Sequence, residues 1–347
     1  MLDAADKYGM LVMDEMFDFW TEGKSRFDYS LDFPEWWERD IEAMVQQDFN
    51  YPSVVLYSIG NEIFETGRPI GSAWGRKLAE KVRSLDDTRY VTYGINGFVS
   101  VLPEVGEMLK QQGKGGTGNI NTLFQSDFVN EINASDLVTR KTAESQAVLD
   151  VAGMNYGDGR YVMDRALFPN RIIVGTETFP TRIDANWKLV KENSHVIGDF
   201  TWTGWDYLGE AGLGRVDYPD ENYKPTGSAG PYPWLVGWSG DIDITGHRRP
   251  PSYYREIVFG LRHEPYIAVQ GPEYHGRKSV AGQWSWTDSV SSWSWGVREG
   301  SPVKVEVYSD ADEVELLVNG RSLGRRRPAT RTGSGPSSTP STSRVSW

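Results

Sequence analysis

The sequence predicts an α/β fold, a (β/α)8 TIM-barrel domain, followed by a shorter all-β segment. Three observations predict the barrel: short apolar runs recur along the chain, helical patterns separate several of them, and polar side chains stand at their ends. Apolar runs that are nearly continuous suit strands buried on both faces of a parallel sheet. The runs lie at residues 9–15, 53–62, 89–97, 148–156, 171–177 and 195–202.

The segments between the runs have the spacing of amphipathic helices. In residues 34–49 the apolar side chains recur every three or four positions, and Pro34 stands where a first-turn proline is tolerated. The same spacing precedes the third run and follows the sixth, at Trp74, Leu78, Val82 and Leu85 and at Tyr253, Ile257, Val258 and Leu261. A succession of strand–helix units indicates either a doubly wound sheet or a (β/α)8 barrel.

The residues at the ends of the apolar runs favour the barrel. The C-terminal ends of barrel strands meet at one rim, and barrel enzymes have their active sites there. No glycine-rich phosphate loop follows the first run, which argues against a nucleotide-binding doubly wound sheet. The strand-end residues are Asp14, Glu15, Asn61, Glu62, Asn96, Asn155, Tyr156, Glu177 and Trp202.

Composition argues against several classes of function. The chain has 347 residues, a formal net charge of −12 and a pI near 5.0, so neither nucleic acid nor an anionic membrane is an expected partner. The absence of cysteine excludes thiol nucleophiles and Cys-ligated zinc. The four histidines show no metal-ligand spacing, so no metal or cofactor is predicted. A content of 14 Trp and 17 Tyr favours a sugar-binding cleft, although large cores also use aromatic residues.

The sequence contains no signal for targeting to a membrane or for export. No apolar run reaches the roughly 18 residues that a membrane span needs. The polar N-terminus predicts no signal peptide in this chain, so a cytoplasmic and an exported location both stay open.

Two glutamates at strand ends are the candidate catalytic pair. Glu62 and Glu177 stand on strands that two others separate, so they can face each other across the mouth of the barrel. Glycosidic bond cleavage needs such a pair: one carboxylic acid protonates the leaving oxygen, and the other carboxylate attacks the sugar or activates water. The amide of Asn61 can bind a sugar hydroxyl. The alternative is that both are ordinary glutamates of an exposed rim.

Three motifs together resemble glycoside hydrolase family 2, in its β-galactosidase-type members. They are SIGNE at 58–62, IIVGTETFP at 172–180 and GDFTWTGWDYLGE at 198–210; LDAADKYGMLVMDEMFDFW at 2–20 also resembles the third strand of that catalytic barrel. The resemblance covers roughly residues 1–325. It implies a retaining mechanism with a covalent glycosyl–enzyme intermediate, with Glu62 as the acid/base and Glu177 as the nucleophile.

The resemblance also implies roles for residues around the two glutamates. Asn61 would bind the 2-hydroxyl, Tyr156 would hydrogen-bond Glu177, and Trp202 would form an aromatic platform for the departing sugar. Asp14 and Asp18 would either bind hydroxyls of the terminal sugar or form salt bridges on the rim; both alternatives stay open. Asp206 and Glu210 are expected to hold a loop, and Glu15 and Glu65 have no assigned role.

The chain departs from the family pattern at both ends. It begins at what resembles the third barrel strand, so we expect a barrel domain at 1–262 that lacks its first two strands, followed by a linker at 263–295. Residues 296–325 contain two alternating strand patterns and an Asn-Gly turn, which resembles the start of an immunoglobulin-like β-sandwich. Residues 326–347 are rich in Ser, Thr and Pro and are expected to be a disordered or out-of-frame tail.

The sequence therefore predicts a retaining exo-β-glycosidase acting on terminal non-reducing β-D-galactose residues, so a β-galactoside is the predicted substrate. β-Glucuronidase and β-mannosidase activities stay open, although no Asn-Lys pair for a glucuronide carboxylate is evident. A non-catalytic carbohydrate-binding protein is a further alternative, and the presence of both glutamates argues against it. The oligomeric state cannot be read from the sequence.

Overall fold

The computed structural model describes residues 1–111, 128–219, 229–327 and 344–346. The described residues form two compact units. The first comprises residues 1–111, 128–178 and 192–200, and the second comprises 179–191 and the described residues from 201 onward. Within the described part of the chain, no helix is long and apolar enough to cross a membrane.

The first unit is built on a six-stranded sheet, as the apolar runs predict. The strands are hydrogen-bonded in chain order, and the described pairs from β1 to β5 are all parallel, which is the arrangement of a TIM-barrel sheet. The prediction of a barrel-type parallel sheet is therefore confirmed. The strands are β1 (Val12–Glu15), β2 (Val54–Asn61), β3 (Tyr90–Ile95), β4 (Ala152–Asn155), β5 (Ile173–Thr178) and β6 (Val196–Thr201).

Helices follow the strands, at the positions where the sequence shows helical spacing. The predicted segments at 34–49, around Trp74–Leu85 and around Tyr253–Leu261 all contain helices. The helices are α1 (Leu2–Tyr8), α2 (Phe33–Asp48), α3 (Pro69–Leu85), α4 (Leu102–Gln111), α5 (Phe128–Asn133), α6 (Asp136–Ala147), α7 (Arg160–Leu167), α8 (Ile183–Glu192) and α9 (Pro250–Val258).

The sheet of the first unit is covered on its helix side by a large apolar core. Trp37 and Ile41 of α2 and Leu78 of α3 pack with outward-facing strand residues such as Tyr57 and Ile59. Each large side chain buried in this way contributes roughly 1.5–3 kcal/mol to folding. On the other face a smaller cluster, formed by Leu56, Val151 and Val174, fills the interior side of the sheet. Both faces are therefore buried, which is why the strands read as continuous apolar runs.

The second unit contains the C-terminal β structure together with α9. A three-stranded sheet has the order β13–β10–β8, and two-stranded pairs form from β7 with β9 and from β11 with β12. The strands are β7 (Val216–Asp217), β8 (Tyr266–Val269), β9 (Val280–Ala281), β10 (Val305–Tyr308), β11 (Val314–Val318), β12 (Arg321–Arg326) and β13 (Arg344–Ser346). Tyr254 of α9 packs with Trp286 and Tyr308 in its aromatic core.

The predicted hairpin in this unit is present. Strands β11 and β12 pair antiparallel, and Asn319 and Gly320 join them with φ of 50° and 78°. A two-residue hairpin turn of this type needs positive φ at both positions, and Asn-Gly tolerates that conformation best.

The expected linker and tail differ in part from the structure. Strand β8, inside the expected linker at 263–295, pairs with β10, and three of its four residues, Tyr266, Ala268 and Val269, are buried. Residues 344–346, inside the expected tail, pair with β10 as strand β13. The rest of that segment, at 328–343 and 347, lies outside the described residues.

Candidate active site

The two candidate glutamates stand at the C-terminal ends of β2 and β5, in the first unit. Glu62 directly follows β2, and its backbone N–H donates to the carbonyl of Gly94 on β3 at 2.8 Å. Its φ of 49° turns the chain out of the strand at this point. Glu177 is the penultimate residue of β5. Strands β3 and β4 lie between β2 and β5, so the parallel sheet presents both carboxylates at the same edge.

One amide nitrogen joins the two carboxylates. Nδ2 of the buried Asn155, at the end of β4, lies 3.2 Å from Oε1 of Glu62 and 3.2 Å from Oε2 of Glu177. The two carboxylate oxygens therefore cannot be further apart than twice this distance, about 6.4 Å. Thr176 Oγ1 donates to Asn155 Oδ1 at 2.6 Å, so the amide group is oriented with its nitrogen toward the glutamates. Asn155 was named from the sequence as a strand-end residue without a role.

Glu62 accepts a hydrogen bond from a second asparagine, Asn96, and burial changes its pKa. Asn96 Nδ2 donates to Glu62 Oε1 at 2.8 Å. Burial raises the pKa of Glu62, because removing solvent disfavours the charged form, while the hydrogen bonds from Asn96 and Asn155 and the charge of Lys24 act in the opposite direction. The net shift is upward. This carboxyl therefore favours its protonated form more than a solvent-exposed glutamate does.

Asn61 is held in one orientation by contacts on both ends of its side chain. Its Oδ1 accepts from Asn155 Nδ2 at 2.8 Å, and its Nδ2 donates to Asp18 Oδ1 at 3.0 Å. Gly94 on β3 makes room for these amides, because a Cβ there would lie 2.7 Å from Asn155 Oδ1 and 3.0 Å from Asn61 Oδ1. Of the two predicted aspartates, Asp18 thus reaches this site.

Tyr156 contacts Glu177 through both its side chain and its backbone. Its hydroxyl donates to Glu177 Oε1, and its backbone N–H donates to the Glu177 carbonyl at 2.8 Å. Tyr156 is buried, has φ of 50°, and its own carbonyl accepts from Asn133 Nδ2 at 2.7 Å. The structure thus contains the contact that the family resemblance implies.

Asp14 lies on the opposite face of β1 from the site. Successive side chains of a strand point to opposite faces. Glu15 accepts from Ser58 Oγ at 2.6 Å on the inner face, whereas Asp14 lies beside the carboxyl of Asp48 at the end of α2. Burial, with the contact to Asp14 second, raises the pKa of Asp48 to about 7. The structure does not bring Asp14 to Glu62 and Glu177.

Sequence reasoning left two charged neighbours of Glu62 without a role. The Glu15 side chain is accessible to solvent, yet the protein atoms crowded around its carboxyl raise its pKa to about 7. Lys24 Nζ donates to Asp18 Oδ1 at 2.7 Å and to the Asn61 carbonyl at 3.0 Å. The strand-end position could have pointed to Glu15. No local pattern pointed to Lys24, because it lies in a loop.

Trp202 belongs to the second unit and is described there. Its Nε1 donates to the hydroxyl of Tyr207 at 3.1 Å, and that hydroxyl donates to Glu210. The buried carboxylate of Asp206 accepts from the backbone N–H of Trp238 at 2.9 Å, a contact that holds the loop. The role of Trp202 as a sugar platform stays a prediction.

The described residues contain no group of three His, Asp or Glu side chains placed to hold a metal ion. The groups that the structure brings together at this site are two carboxylates, their amide and phenol partners, and the neighbouring charges.

Comparison with protein families gives two matches. Residues 1–113 match the family described as glycosyl hydrolases family 2, TIM barrel domain. Residues 300–347 match a domain of unknown function, DUF4982.

Curated relatives and solved structures agree with the first of these matches. Beta-galactosidase BoGH2A of Bacteroides ovatus is 25% identical over 94% of this chain and 38% of its own length, and a putative beta-glucuronidase of Formosa agariphila is 26% identical over 94% and 29%. A glycosyl hydrolase family 2 member from Bacteroides cellulosilyticus superposes with a TM-score of 0.73 at 34% identity, over 94% of this chain and 36% of that one. The chain thus spans less than two fifths of the length of these relatives.

Proposed function

Because this chain belongs to glycoside hydrolase family 2, we propose that it is a retaining exo-β-glycosidase that removes terminal β-D-galactose residues from non-reducing ends. Glu62 is the acid/base in this proposal, and Glu177 is the nucleophile. The matches to family 2 members support the family, whereas the particular sugar and the course of the reaction are proposed.

The observation that supports this proposal most strongly is the hydrogen bonding of Asn155 to both carboxylates. It limits the separation of the two nearest carboxylate oxygens to about 6.4 Å. Retaining glycosidases need their carboxyl groups about 5–5.5 Å apart, whereas inverting enzymes need about 6.5–9.5 Å to accommodate a water molecule. The limit applies to one pair of oxygens and is compatible with the shorter separation, at which the second carboxylate attacks the sugar directly.

The burial of Glu62 and the hydrogen bonds to Glu177 support the two protonation states that the proposed reaction needs. Glu62 Oε1 accepts from Asn96 and Asn155, which leaves Oε2 to carry the proton that the raised pKa favours. Glu177 accepts from the Tyr156 hydroxyl and from Asn155, and an ionised carboxylate is suited to accept from two donors. Glu62 would protonate the glycosidic oxygen while Glu177 attacks C1; Glu62 would then take a proton from the water that releases the sugar.

The amide and carboxylate on the β1 side of the site would bind the sugar. Asn61 would contact the 2-hydroxyl, an interaction able to strengthen in the transition state. Asp18 has a half-exposed side chain beside Asn61 and would accept from another hydroxyl. Trp202 would form the platform for the departing sugar. Asp14 has no part in this proposal, because its carboxyl lies beside Asp48.

The pairing of Lys24 favours a neutral sugar over a glucuronide. Lys24 lies against Asn61, so an Asn-Lys pair does exist in space, but the ammonium is already paired with Asp18 at 2.7 Å. A substrate carboxylate would have to compete with Asp18 for this charge. β-Galactosidase and putative β-glucuronidase relatives are both similar to this chain, so this contact is what favours a neutral sugar such as galactose over a glucuronide.

Mass spectrometry of the chain after incubation with an activated 2-deoxy-2-fluoro-β-galactoside tests this proposal. We expect a stable fluorogalactosyl adduct on the peptide that contains Glu177, because the fluorine slows hydrolysis of the covalent intermediate. Glu177→Gln should give no adduct, and Glu80→Gln, a change at an exposed glutamate of α3, should label like the native chain. Circular dichroism establishes that each variant is folded.

Two other results would contradict parts of the proposal. Labelling by the corresponding glucuronide reagent alone would show that the sugar assignment is wrong. A folded chain that binds β-galactan without turnover, and that neither reagent labels, would favour the non-catalytic carbohydrate-binding alternative.

A further inference from the structure

Lys24 and Asp18, in the loop after β1, both contact Asn61, the residue before Glu62. Lys24 Nζ donates to the backbone carbonyl of Asn61 at 3.0 Å and to Asp18 Oδ1 at 2.7 Å. The same Asp18 oxygen accepts from Asn61 Nδ2 at 3.0 Å. The three residues thus form a closed hydrogen-bonded triangle, which holds both the backbone and the side chain of the residue before Glu62.

The position of this loop is itself well determined. Trp20 is completely buried, and its Nε1 donates to the carbonyl of Ile59 on β2 at 3.0 Å. The buried Glu65 accepts from the backbone N–H groups of Thr21 and Glu22, each at 2.8 Å. Lys24 therefore follows a segment that is anchored at Trp20, Thr21 and Glu22, and its side chain is about a quarter exposed.

Lys24 and Asp18 are the two charged residues that act most strongly on the pKa of Glu62, and Lys24 is the positive one. Carboxyl groups face Glu62 from several elements: Glu15 from β1, Asp18 from the following loop, and Glu177 from β5 through the shared Asn155. The Tyr156 hydroxyl faces Glu177 in turn. Lys24 lowers the pKa of both Glu62 and Glu15, while Asp18 raises both. Neighbouring carboxylates repel one another, and a nearby ammonium offsets part of this repulsion, so it affects how many of the carboxyls can be ionised at once.

We propose that Lys24 is a positioning residue for the acid/base: with Asp18 it holds the Asn61-Glu62 segment in place, and it supplies the positive charge that controls when Glu62 loses its proton. Lys24 and Asp18 then act in opposite directions on the pKa of Glu62. The acid/base role of Glu62 rests on the proposed function, whereas the effect of Lys24 and Asp18 on its proton does not.

The sign of the effect follows from the charges. Burial raises the pKa of Glu62, and the charge of Lys24 lowers it by favouring the ionised form. Removal of the Lys24 charge therefore raises the pKa of Glu62 further. The acid must be protonated to act, so the alkaline limb of the kcat/KM profile moves to higher pH. Removal of the Asp18 charge acts in the opposite direction.

Two measurements on the same variants test this proposal. The first is the alkaline limb of kcat/KM on an aryl β-galactoside, and the second is the titration of Glu62 followed by 13C NMR of carboxyl-labelled glutamate, with Glu62→Gln to assign the signal. We expect Lys24→Gln, which keeps a donor but removes the charge, to raise both midpoints by about 0.5–1 pH unit. Asp18→Asn should lower both. Lys24→Arg should leave both near their native values.

A change of an exposed ion pair serves as the control. Lys110 pairs with Glu107, and both side chains are largely exposed, so Lys110→Gln should move neither midpoint. A merely structural role for the triangle would make Lys24→Gln and Asp18→Asn act in the same direction, through loss of kcat. The proposal would be overturned if the titration midpoint of Glu62 is unchanged in the two folded variants, or if it moves in the same direction in both.

The two proposals fail in different ways. A native chain that hydrolyses no aryl glycoside, but whose Glu62 midpoint moves in opposite directions in Lys24→Gln and Asp18→Asn, would refute the enzymatic function and support the electrostatic role of Lys24. An active chain whose Glu62 midpoint is unchanged by both substitutions would support the enzymatic function and refute the electrostatic role of Lys24.

Discussion

At the scale of single residues, Asn155 contacts both candidate catalytic glutamates. One nitrogen contacts Glu62, Glu177 and the Asn61 side chain, and the hydroxyl of Thr176 fixes its orientation. A group with two N–H donors cannot satisfy three acceptors fully. The amide is thus shared among them, and it is available to strengthen one contact as charge moves between the carboxylates.

Removal of this amide should impair the reaction more than the fold. For Asn155→Ala we expect kcat/KM on an aryl β-galactoside to fall roughly 10²-fold or more, as happens when one preorganised donor is lost from an active site. Steady-state kinetics with thermal unfolding measures both effects. Asn50→Ala, at an exposed asparagine beyond α2, is the matched control and should change neither. An active Asn155→Ala variant would contradict the assigned role.

At the scale of elements, the loop between β1 and α2 depends on a carboxylate from the next strand–helix connection. Glu65 is buried, and its Oε1 accepts from the backbone N–H and the hydroxyl of Thr21 and from the N–H of Glu22. These contacts join chain segments more than 40 residues apart. Gly60 belongs to the same arrangement, because a Cβ there would lie 3.0 Å from Nε1 of the buried Trp20.

Loss of the Glu65 carboxylate should release this loop. Glu65→Ala leaves the N–H donors of Thr21 and Glu22 without their buried acceptor, and we expect it to lower the free energy of unfolding by roughly 2–4 kcal/mol. Glu65→Gln keeps one acceptor oxygen and should cost less. Urea-induced unfolding measures the difference, with Glu80→Ala on the exposed face of α3 as the control expected within about 0.5 kcal/mol. Equal stability of Glu65→Ala and the native chain would contradict the anchoring role.

At the scale of the whole molecule, several carboxyls with raised pKa values couple stability to pH. Loss of solvent around the carboxyl raises the pKa of Glu62, and it raises the pKa of Glu15 and of the buried Asp48 to about 7. Each of these groups holds its proton more tightly in the folded chain than in the unfolded one. Their contribution to stability is present below the unfolded pKa, near 4, and is lost as the pH rises toward 7.

Asp48→Asn tests this coupling without touching the candidate site. An amide resembles the protonated acid beside Asp14, so we expect the variant to have a higher free energy of unfolding than the native chain at pH 8. The difference should shrink as the pH falls through about 7 and vanish below about pH 4, where Asp48 is protonated in both states. Denaturant unfolding at both pH values measures it, with the exposed Asp87→Asn as control. A variant less stable than the native chain at pH 8 would refute the coupling.

Local sequence patterns determined much of this protein. The apolar runs predicted six parallel strands, because strands buried on both faces must be apolar throughout. Asn319 and Gly320 predicted a hairpin, because few residue pairs accept two positive φ values. The strand-end positions of Glu62 and Glu177 predicted that both stand at one edge of the sheet, because parallel strands present their C-terminal ends together.

Only the tertiary structure decided how these pieces act on one another. Asn155 meets Glu62 across 93 residues of sequence, and the side of β1 on which Asp14 lies depends on the pleat and on the packing of α2. Lys24 reaches Asn61 because Trp20 and Glu65 anchor its loop. A sequence pattern reports the local preference of the chain, whereas these contacts depend on the register of neighbouring strands and on side chains that only folding brings together.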